Sequence, residues 1–270
     1  MEFDEGPVIS QGLVLENRPL APETFLLTLE CAEAAGQAGP GRFVKARAWP
    51  ETKDGGLPLM DRPFSIHRAD KNQLSLLYRV VGPATALMSR VGPGARVKIS
   101  GPLGRGLDQV RPTAPAALYL VAGGMGLAPM ALAKDWLGPD RPATLFYGER
   151  RGALQVERSW LKSWAGDFTA VTEDGQGYGG TGLATAPLEE ALRREPRPVF
   201  ACGPTPMLAA VAALAERLGV EAWVSVEAGM ACGFGVCLTC SLPLKGGGRF
   251  RACQDGPVTD GLKVDWSRLE

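Results

Sequence analysis

The chain has 270 residues, with 29 basic and 29 acidic side chains, a formal charge of zero and a single histidine. Zero net charge removes any global attraction for a polyphosphate backbone, so duplex nucleic acid is not the expected ligand. One histidine leaves little for histidine-based metal or triad chemistry. Glycine and proline make up about a fifth of the chain, below the roughly 25–30% that marks low complexity. With 45% hydrophobic residues, a loop-rich folded protein of two ordinary domains is expected.

Between residues 12 and 106 short, partly alternating runs recur, such as Phe43, Lys45 and Arg47 against Val44, Ala46 and Ala48, or Leu74, Leu76, Tyr78 and Val80. Gly and Pro clusters separate them at intervals too short for helices, which predicts a small antiparallel barrel or sandwich. Residues 36–41 and 52–58 read as surface loops. From Arg111 the style changes: apolar runs at 118–122, 144–147, 168–171 and 199–202 alternate with helical candidates. The clearest helix has Thr205 as N-cap, Pro206 at its first position, and an apolar face of Leu208, Val211, Leu214, Ala215 and Leu218. A weaker one covers 188–194. Such alternation implies βαβ units and a doubly wound parallel sheet. Residues 114–133 carry no charge, but Pro115, Pro129, Gly123, Gly124 and Gly126 argue for a buried strand, a glycine turn and a helix instead of a membrane span.

The boundaries therefore fall at 1–110, 111–222 and 223–270. The last segment holds four of the six cysteines and is too short to build much core alone, so a bound metal cluster would have to organise it. Residues 1–9 lack the apolar segment of a signal sequence, so a reducing, cytoplasmic setting is expected, in which clustered thiols suggest metal.

Three motifs carry the chemistry. Cys232-x4-Cys237-x2-Cys240, followed after twelve intervening residues by Cys253, has the plant-type [2Fe–2S] spacing in its first three cysteines, with Gly233 and Gly235 letting the loop curl. A structural zinc site is the alternative, although zinc usually takes two short paired-cysteine hairpins. The run Leu118-Tyr-Leu-Val-Ala-Gly-Gly-Met-Gly-Leu-Ala-Pro129 offers backbone approach at Gly123, Gly124 and Gly126 for a pyrophosphate. It gains weight from Cys202, Gly203 and Pro204 at the end of a later strand; Cys202 reads equally as a small buried residue or as facing a nicotinamide. Arg62-Pro63-Phe64-Ser65, followed by Leu77-Tyr78-Arg79, supplies an Arg for pyrophosphate, an aromatic for a flavin face and a hydroxyl for a ring nitrogen.

In this order the motifs resemble the ferredoxin–NADP reductase superfamily. Residues 227–240 and the run Cys253-Gln-Asp-Gly-Pro-Val narrow the resemblance to the electron transfer subunits of NAD-dependent dihydroorotate dehydrogenase B. The resemblance covers essentially the whole chain. It implies FAD in the barrel, NAD(H) on the parallel sheet and a [2Fe–2S] cluster on Cys232, Cys237, Cys240 and Cys253. FAD contacts would come from Arg62, Pro63, Phe64, Ser65, Leu77, Tyr78, Arg79 and Thr85. Ala84 stands where the family usually has glycine, which makes its backbone contact less secure. It further implies an FMN-containing catalytic partner in a heterotetramer, with no acid–base residue obligatory in this chain. The same motifs would also serve a reductase subunit of another complex, of sulfide dehydrogenase, hydrogenase or transhydrogenase type. Arg150 and Arg151 stand where a 2′-phosphate could pair, but the family implies NAD. Cys31 and His67 are expected to pack.

Overall fold

The computed structural model describes residues 8–49 and 58–269. Its first half contains β1 (Ile9–Ala21), β2 (Thr24–Glu30), α1 (Ala32–Gly36), β3 (Phe43–Arg47), β4 (Arg62–Asp70), β5 (Gln73–Arg79), α2 (Pro83–Met88), β6 (Arg96–Leu103) and α3 (Leu107–Val110). The six strands are antiparallel and close into a barrel in the order β1-β2-β5-β4-β3-β6. Alternation sends Val14, Leu27, Val44, Ile66, Leu76 and Ile99 into one buried core, and closure leaves no free edge. Cys31 is buried there, its Sγ 3.2 Å from Ser10 Oγ.

The segment 36–41 differs from expectation. Gly36 ends α1, and Gly39, Pro40 and Gly41 are buried. Gly41 has φ +84°, and a Cβ there would overlap Val258 and press on Phe200, so the chain dives under the sheet where only glycine fits. Of the second expected loop, residues 52–57 lie outside the described residues, as do residues 1–7 of the segment read for a signal sequence.

The second half contains β7 (Leu118–Gly123), α4 (Met130–Leu137), β8 (Ala143–Glu149), α5 (Arg158–Ala165), β9 (Phe168–Thr172), β10 (Gly180–Thr181), α6 (Thr185–Arg194), β11 (Val199–Cys202), α7 (Thr205–Leu218) and β12 (Ala222–Ser225). The run 114–133 is a strand and a glycine turn, but the turn passes through a 3-10 segment, Gly124–Leu127, before α4 begins. α7 starts one residue earlier than its sequence suggests: Gly203 (φ +154°) and extended Pro204 lead out of β11, so Pro204 is the cap and Thr205 is already helical. α4 and α5 bury Ala131, Leu161 and Trp164 on one face of the sheet. α6 and α7 bury Leu188, Leu192, Leu208 and Val211 on the other. No helix among the described residues is long and apolar enough to cross a membrane.

The tail forms β13 (Ser241–Pro243), β14 (Arg249–Arg251) and β15 (Val258–Asp260). It does not depend on metal alone for order. β15 pairs antiparallel with β12 and completes a sheet of order β10-β9-β8-β7-β11-β12-β15. Leu242, Phe250 and Ala252 share a core with Val199 and Val224 of the sheet and Phe43 and Leu103 of the barrel. A fifty-residue tail gains its apolar burial from neighbours instead of from itself.

Candidate functional site

Strand order reverses between β7 and β11, and the loops leaving those two strands interlock. A Cβ on Gly126 would overlap the Cys202 carbonyl, and one on Gly123 would meet Met207 Sδ at 2.7 Å and Pro204 Cδ at 2.8 Å. Gly203 is confined by Met207 Cε at 2.8 Å and Gly123 N at 2.9 Å. Gly123, Gly126 and Gly203 therefore serve first to seat one loop on the other. Gly124 (φ +53°) is the roomier position, with the Glu149 carboxylate 3.8 Å from a Cβ placed there. Pro204 is exposed, while Cys202 is fully buried, and burial followed by the Glu227 charge pushes its thiol well up. The thiol is held neutral. The sheet thus presents two backbone loops at its topological switch point, where open α/β sheets take ligands.

The barrel motif lies next to the first of these loops. The Gly124–Leu127 turn packs on β5, and α4 packs on β4. Arg62, Pro63 and Ser65 stay partly exposed. Arg62 Nη1 donates to the Met60 carbonyl at 2.7 Å, which leaves most of its guanidinium donors uncommitted. The Ser65 hydroxyl has no hydrogen-bond partner among the described residues. A solvated Arg and an unspent hydroxyl suit a flavin dinucleotide with a pyrophosphate and ring nitrogens to satisfy. Phe64 packs edge-on to Tyr78 (5.9 Å), which stacks on Phe25 (5.7 Å). The Tyr78 hydroxyl donates to Asn17 Oδ1 at 3.1 Å, and burial raises it to about 12. Leu77 is committed to the core between barrel and sheet. Ala84 and Thr85 are buried; Thr85 Oγ1 accepts from Val81 N (2.9 Å) and Gly82 N (3.2 Å), so it holds the entry to α2.

Arg79 is placed otherwise than its sequence neighbours suggest. Its Nη2 donates to Glu149 Oε2 at 2.8 Å and to the Leu154 carbonyl at 3.3 Å, and its Nε donates to Thr24 Oγ1 at 3.1 Å. The pair is buried, with the side chains only 14% and 3% exposed. Glu149 also accepts from the Tyr147 hydroxyl (3.3 Å) and Arg150 N (3.1 Å). Arg79 therefore ties the barrel to the end of β8. Glu149 was not marked by the sequence reading, and its only local signal is a carboxylate closing an apolar strand.

His67 completes the seam. Its ring stacks on Trp160 at 5.4 Å and meets Trp164 edge-on at 5.5 Å. Nδ1–H donates to the Ala128 carbonyl at 2.9 Å, since a carbonyl can only accept. Burial, with a smaller contribution from Arg68, lowers its pKa to about 4 despite that bond. An unfolded histidine titrates near 6.5. Between these values the unfolded chain binds a proton that the folded chain refuses, so stability falls as pH drops from about 6.5 to about 4. The loss approaches roughly 3 kcal/mol. Urea unfolding across this range should show a flatter profile for His67→Phe than for wild type, and superimposable profiles would disprove the effect.

In the tail the four thiols form two pairs. Cys237 N donates to Cys232 Sγ at 3.5 Å, and Cys253 N to Cys240 Sγ at 3.4 Å. Phe234 N reaches Cys232 Sγ at 3.3 Å and Gly235 N reaches Cys253 Sγ at 3.0 Å, which draws the pairs into one loop. Gly233 and Gly235 have φ of +87° and +77°, and a Cβ on Gly235 would overlap Gln254. Among the described residues no three metal-ligating side chains converge on a single-ion site. Two pairs held by backbone N–H groups fit a two-iron cluster better than one tetrahedral ion. The pairs differ in setting. Cys240 and Cys253 are buried, and burial pushes Cys253 to about 12, whereas Cys237 is exposed and hydrogen bonds from Thr239 and Cys232 lower it to about 6. For Cys232 burial opposes ionisation but is outweighed by bonds from the Cys237 and Phe234 backbones. The outer pair favours the thiolate that metals bind.

A closed barrel bearing Arg-Pro-Phe-Ser, set against a doubly wound sheet with two interlocked backbone loops and a paired-thiol tail, defines a ferredoxin-reductase-like flavoprotein with an iron–sulfur segment. Residues 227–265 match the family model described as the iron-sulfur cluster binding domain of dihydroorotate dehydrogenase B. The electron transfer subunit of dihydroorotate dehydrogenase B (NAD(+)) from Clostridium acetobutylicum is 36% identical over 226 residues, covering 83% of this chain and 85% of that one. Its counterpart from Desulforamulus reducens is 33% identical over 260 residues, 92% and 94% of the two chains. The chain belongs to this family of oxidoreductase subunits. Among solved structures, the NADH-dependent reduced ferredoxin-NADP oxidoreductase superimposes with TM-score 0.79 at 24% identity, over 96% of this chain and 91% of that one. A ferredoxin NADP+ reductase from Neisseria gonorrhoeae with bound FAD and NADP gives 0.63 at 17%, over 78% and 92%. These two support the fold.

Proposed function

We propose that the chain is the electron transfer subunit of an NAD-dependent dihydroorotate dehydrogenase in pyrimidine biosynthesis, working between an FMN-containing catalytic subunit and NAD+ in a cytoplasmic heterotetramer with two copies of each chain. We assign FAD to residues 1–110, NAD(H) to 111–222 and [2Fe–2S] to 223–270. The carrying observation is the adjacency of three sites: the barrel motif abuts the turn after β7, on which the β11 loop is seated, and the thiol loop packs on β3 and β6 through Phe43 and Leu103. FAD exchanges electron pairs with a nicotinamide and single electrons with an iron–sulfur cluster, which is why such a protein needs all three groups together.

The chain's own side chains position and exclude. Arg62 and Ser65 offer the uncommitted donors for FAD, Gly124 the backbone approach for the dinucleotide, and Cys232, Cys237, Cys240 and Cys253 the thiolates for iron. We read Phe64, Tyr78, Leu77 and Thr85 as the packed frame behind the flavin site. Cys202 lies buried under the dinucleotide loops and supplies no acid or base. Six free thiols suit the reducing compartment assigned. Around exposed Cys237 the loop shows Phe234, Val236 and Leu238, with Val236 79% exposed. We take this apolar rim as the face for the catalytic subunit.

Mixing the chain with a dihydroorotate-oxidising FMN subunit should give a stable complex in gel filtration and dihydroorotate-dependent NAD+ reduction. Val236→Asp should weaken complex formation at least tenfold while leaving the flavin and iron–sulfur absorbance of the free chain unchanged. If no complex forms and no NAD+ reduction is added, the chain serves a different complex.

A further inference from the structure

Lys45 is an outward-facing residue of β3, yet only 7% of it is exposed. The tail covers it. Its Nζ donates to the carbonyls of Ala231 (2.6 Å) and Cys232 (3.2 Å) and lies 5.9 Å from the Phe234 ring centroid. A Cβ on Gly233 would stand 2.8 Å from Lys45 Cδ, so the glycine is shaped around this stem. On its own sheet Lys45 faces Pro63 of the flavin motif across the β3–β4 register and Ser100 on β6. One side chain thus joins the strand beside Arg62–Ser65 to the first cysteine of the thiol loop.

The charge is as notable as the reach. Among the described residues Lys45 has no carboxylate partner. Asp61, on the strand pair beside it, is taken by Arg47 at 2.5 Å and Lys98 at 3.7 Å. Arg251, a second cation near the thiols, is paired with Asp255 at 2.9 Å. Carbonyl dipoles satisfy an ammonium's donors but do not cancel its charge. A buried, unneutralised cation beside a centre that gains a negative charge on reduction favours the reduced form, because the low local dielectric leaves the attraction poorly screened.

We propose that Lys45 is the positioning residue of the iron–sulfur loop: its ammonium clamps Ala231 and Cys232 to β3, the strand paired with the flavin motif, and raises the reduction potential of the cluster held there. The proposal rests on the assignment of [2Fe–2S] to the four cysteines, and its test separates the two. The full chain and its Lys45→Met, Lys45→Gln and Lys45→Arg variants are assayed for bound iron and sulfide, and the cluster is titrated with mediators while its reduced signal is followed by paramagnetic resonance. Absence of any such signal in wild type overturns the cluster assignment itself. With wild type loaded, the neutral variants should be harder to reduce by about tenfold in the reduced-to-oxidised ratio at fixed potential, about 59 mV lower for a one-electron couple, and Lys45→Arg should stay within threefold of wild type. Loss of cluster in both neutral variants with retention in Lys45→Arg likewise supports a charged clamp. Neutral variants that load fully at the wild-type potential overturn the proposal, as does loss of cluster from all three, which would make the role one of shape alone.

Discussion

Cys237→Ser should abolish the iron signal and electron transfer to the partner while leaving NADH-driven bleaching of the flavin largely intact. The substitution removes a thiol that is exposed and whose hydrogen bonds already favour the thiolate, with a pKa of about 6. A serine hydroxyl at that place stays protonated at neutral pH and is a far poorer ligand for iron. Packing is not what is lost, since surface substitutions usually cost within about 0.5 kcal/mol. The residues assigned to flavin and dinucleotide belong to β4, β5, α2 and the β7 and β11 loops, whereas the hydrogen bonds of Cys237 run to Cys232 and Thr239 within the thiol loop. Iron analysis, visible absorbance and stopped-flow reduction by NADH separate the steps. A variant that keeps its FAD yet is no longer reduced by NADH would show that the cluster does not lie beyond the flavin. Full iron content would remove Cys237 from the ligand set.

The parts of this arrangement that were legible in the sequence are those written in short windows. Alternation within β3 and β5, the apolar runs of β7, β8, β9 and β11, and the spacing Cys232-x4-Cys237-x2-Cys240 each lie inside one element, so period and spacing reveal them. What was not legible depends on partners far along the chain. Lys45 reads as one polar residue of an alternating strand, and nothing near it announces Cys232, 187 residues away. Gly39–Gly41 have the composition of an exposed turn, but Asp108 and Arg42 crowd Gly39, and Val258 and Phe200, far along the chain, cover Gly41. β15 is three residues long, below the length at which a strand pattern can be recognised, and it exists because β12 offers an unpaired edge. The glycines at 123 and 126 mark a close approach but do not name the approaching groups, which are the Met207 and Pro204 side chains at Gly123 and the Cys202 and Gly203 backbone at Gly126. The start of α7 shows the finer limit: Thr205 and Pro206 have the right types for cap and first turn, yet the conformation forced by Gly203 and Pro204 shifts both by one position.

The same distinction makes Arg79 the second decisive residue. By the family resemblance, the Arg that follows Leu77-Tyr78 at the end of a flavin strand is an FAD contact. Read in the fold, its donors are spent on Glu149, Leu154 and Thr24, with at most one N–H to spare. The two roles predict different losses. Arg79→Met leaves the Glu149 carboxylate, 3% exposed, with only Tyr147 and Arg150 N as donors. Breaking one side of a buried pair costs about 3–5 kcal/mol, most of it the penalty of the orphaned charge. Arg79→Met/Glu149→Met removes both charges and should regain most of that loss, because the site then buries two apolar side chains of suitable length. Urea unfolding of the two single variants and the double variant gives the coupling directly. If Arg79 acts as the strut between barrel and sheet, the double variant retains FAD absorbance and regains stability. If it is instead a dinucleotide ligand, the double variant loses FAD to the same extent as Arg79→Met, and the stabilities of the singles simply add. The position of Glu149 against Gly124 adds a functional consequence: with the strut gone, the dinucleotide loop of β7 loses its lateral support, so KM for NADH should rise more than kcat falls even where the flavin is retained.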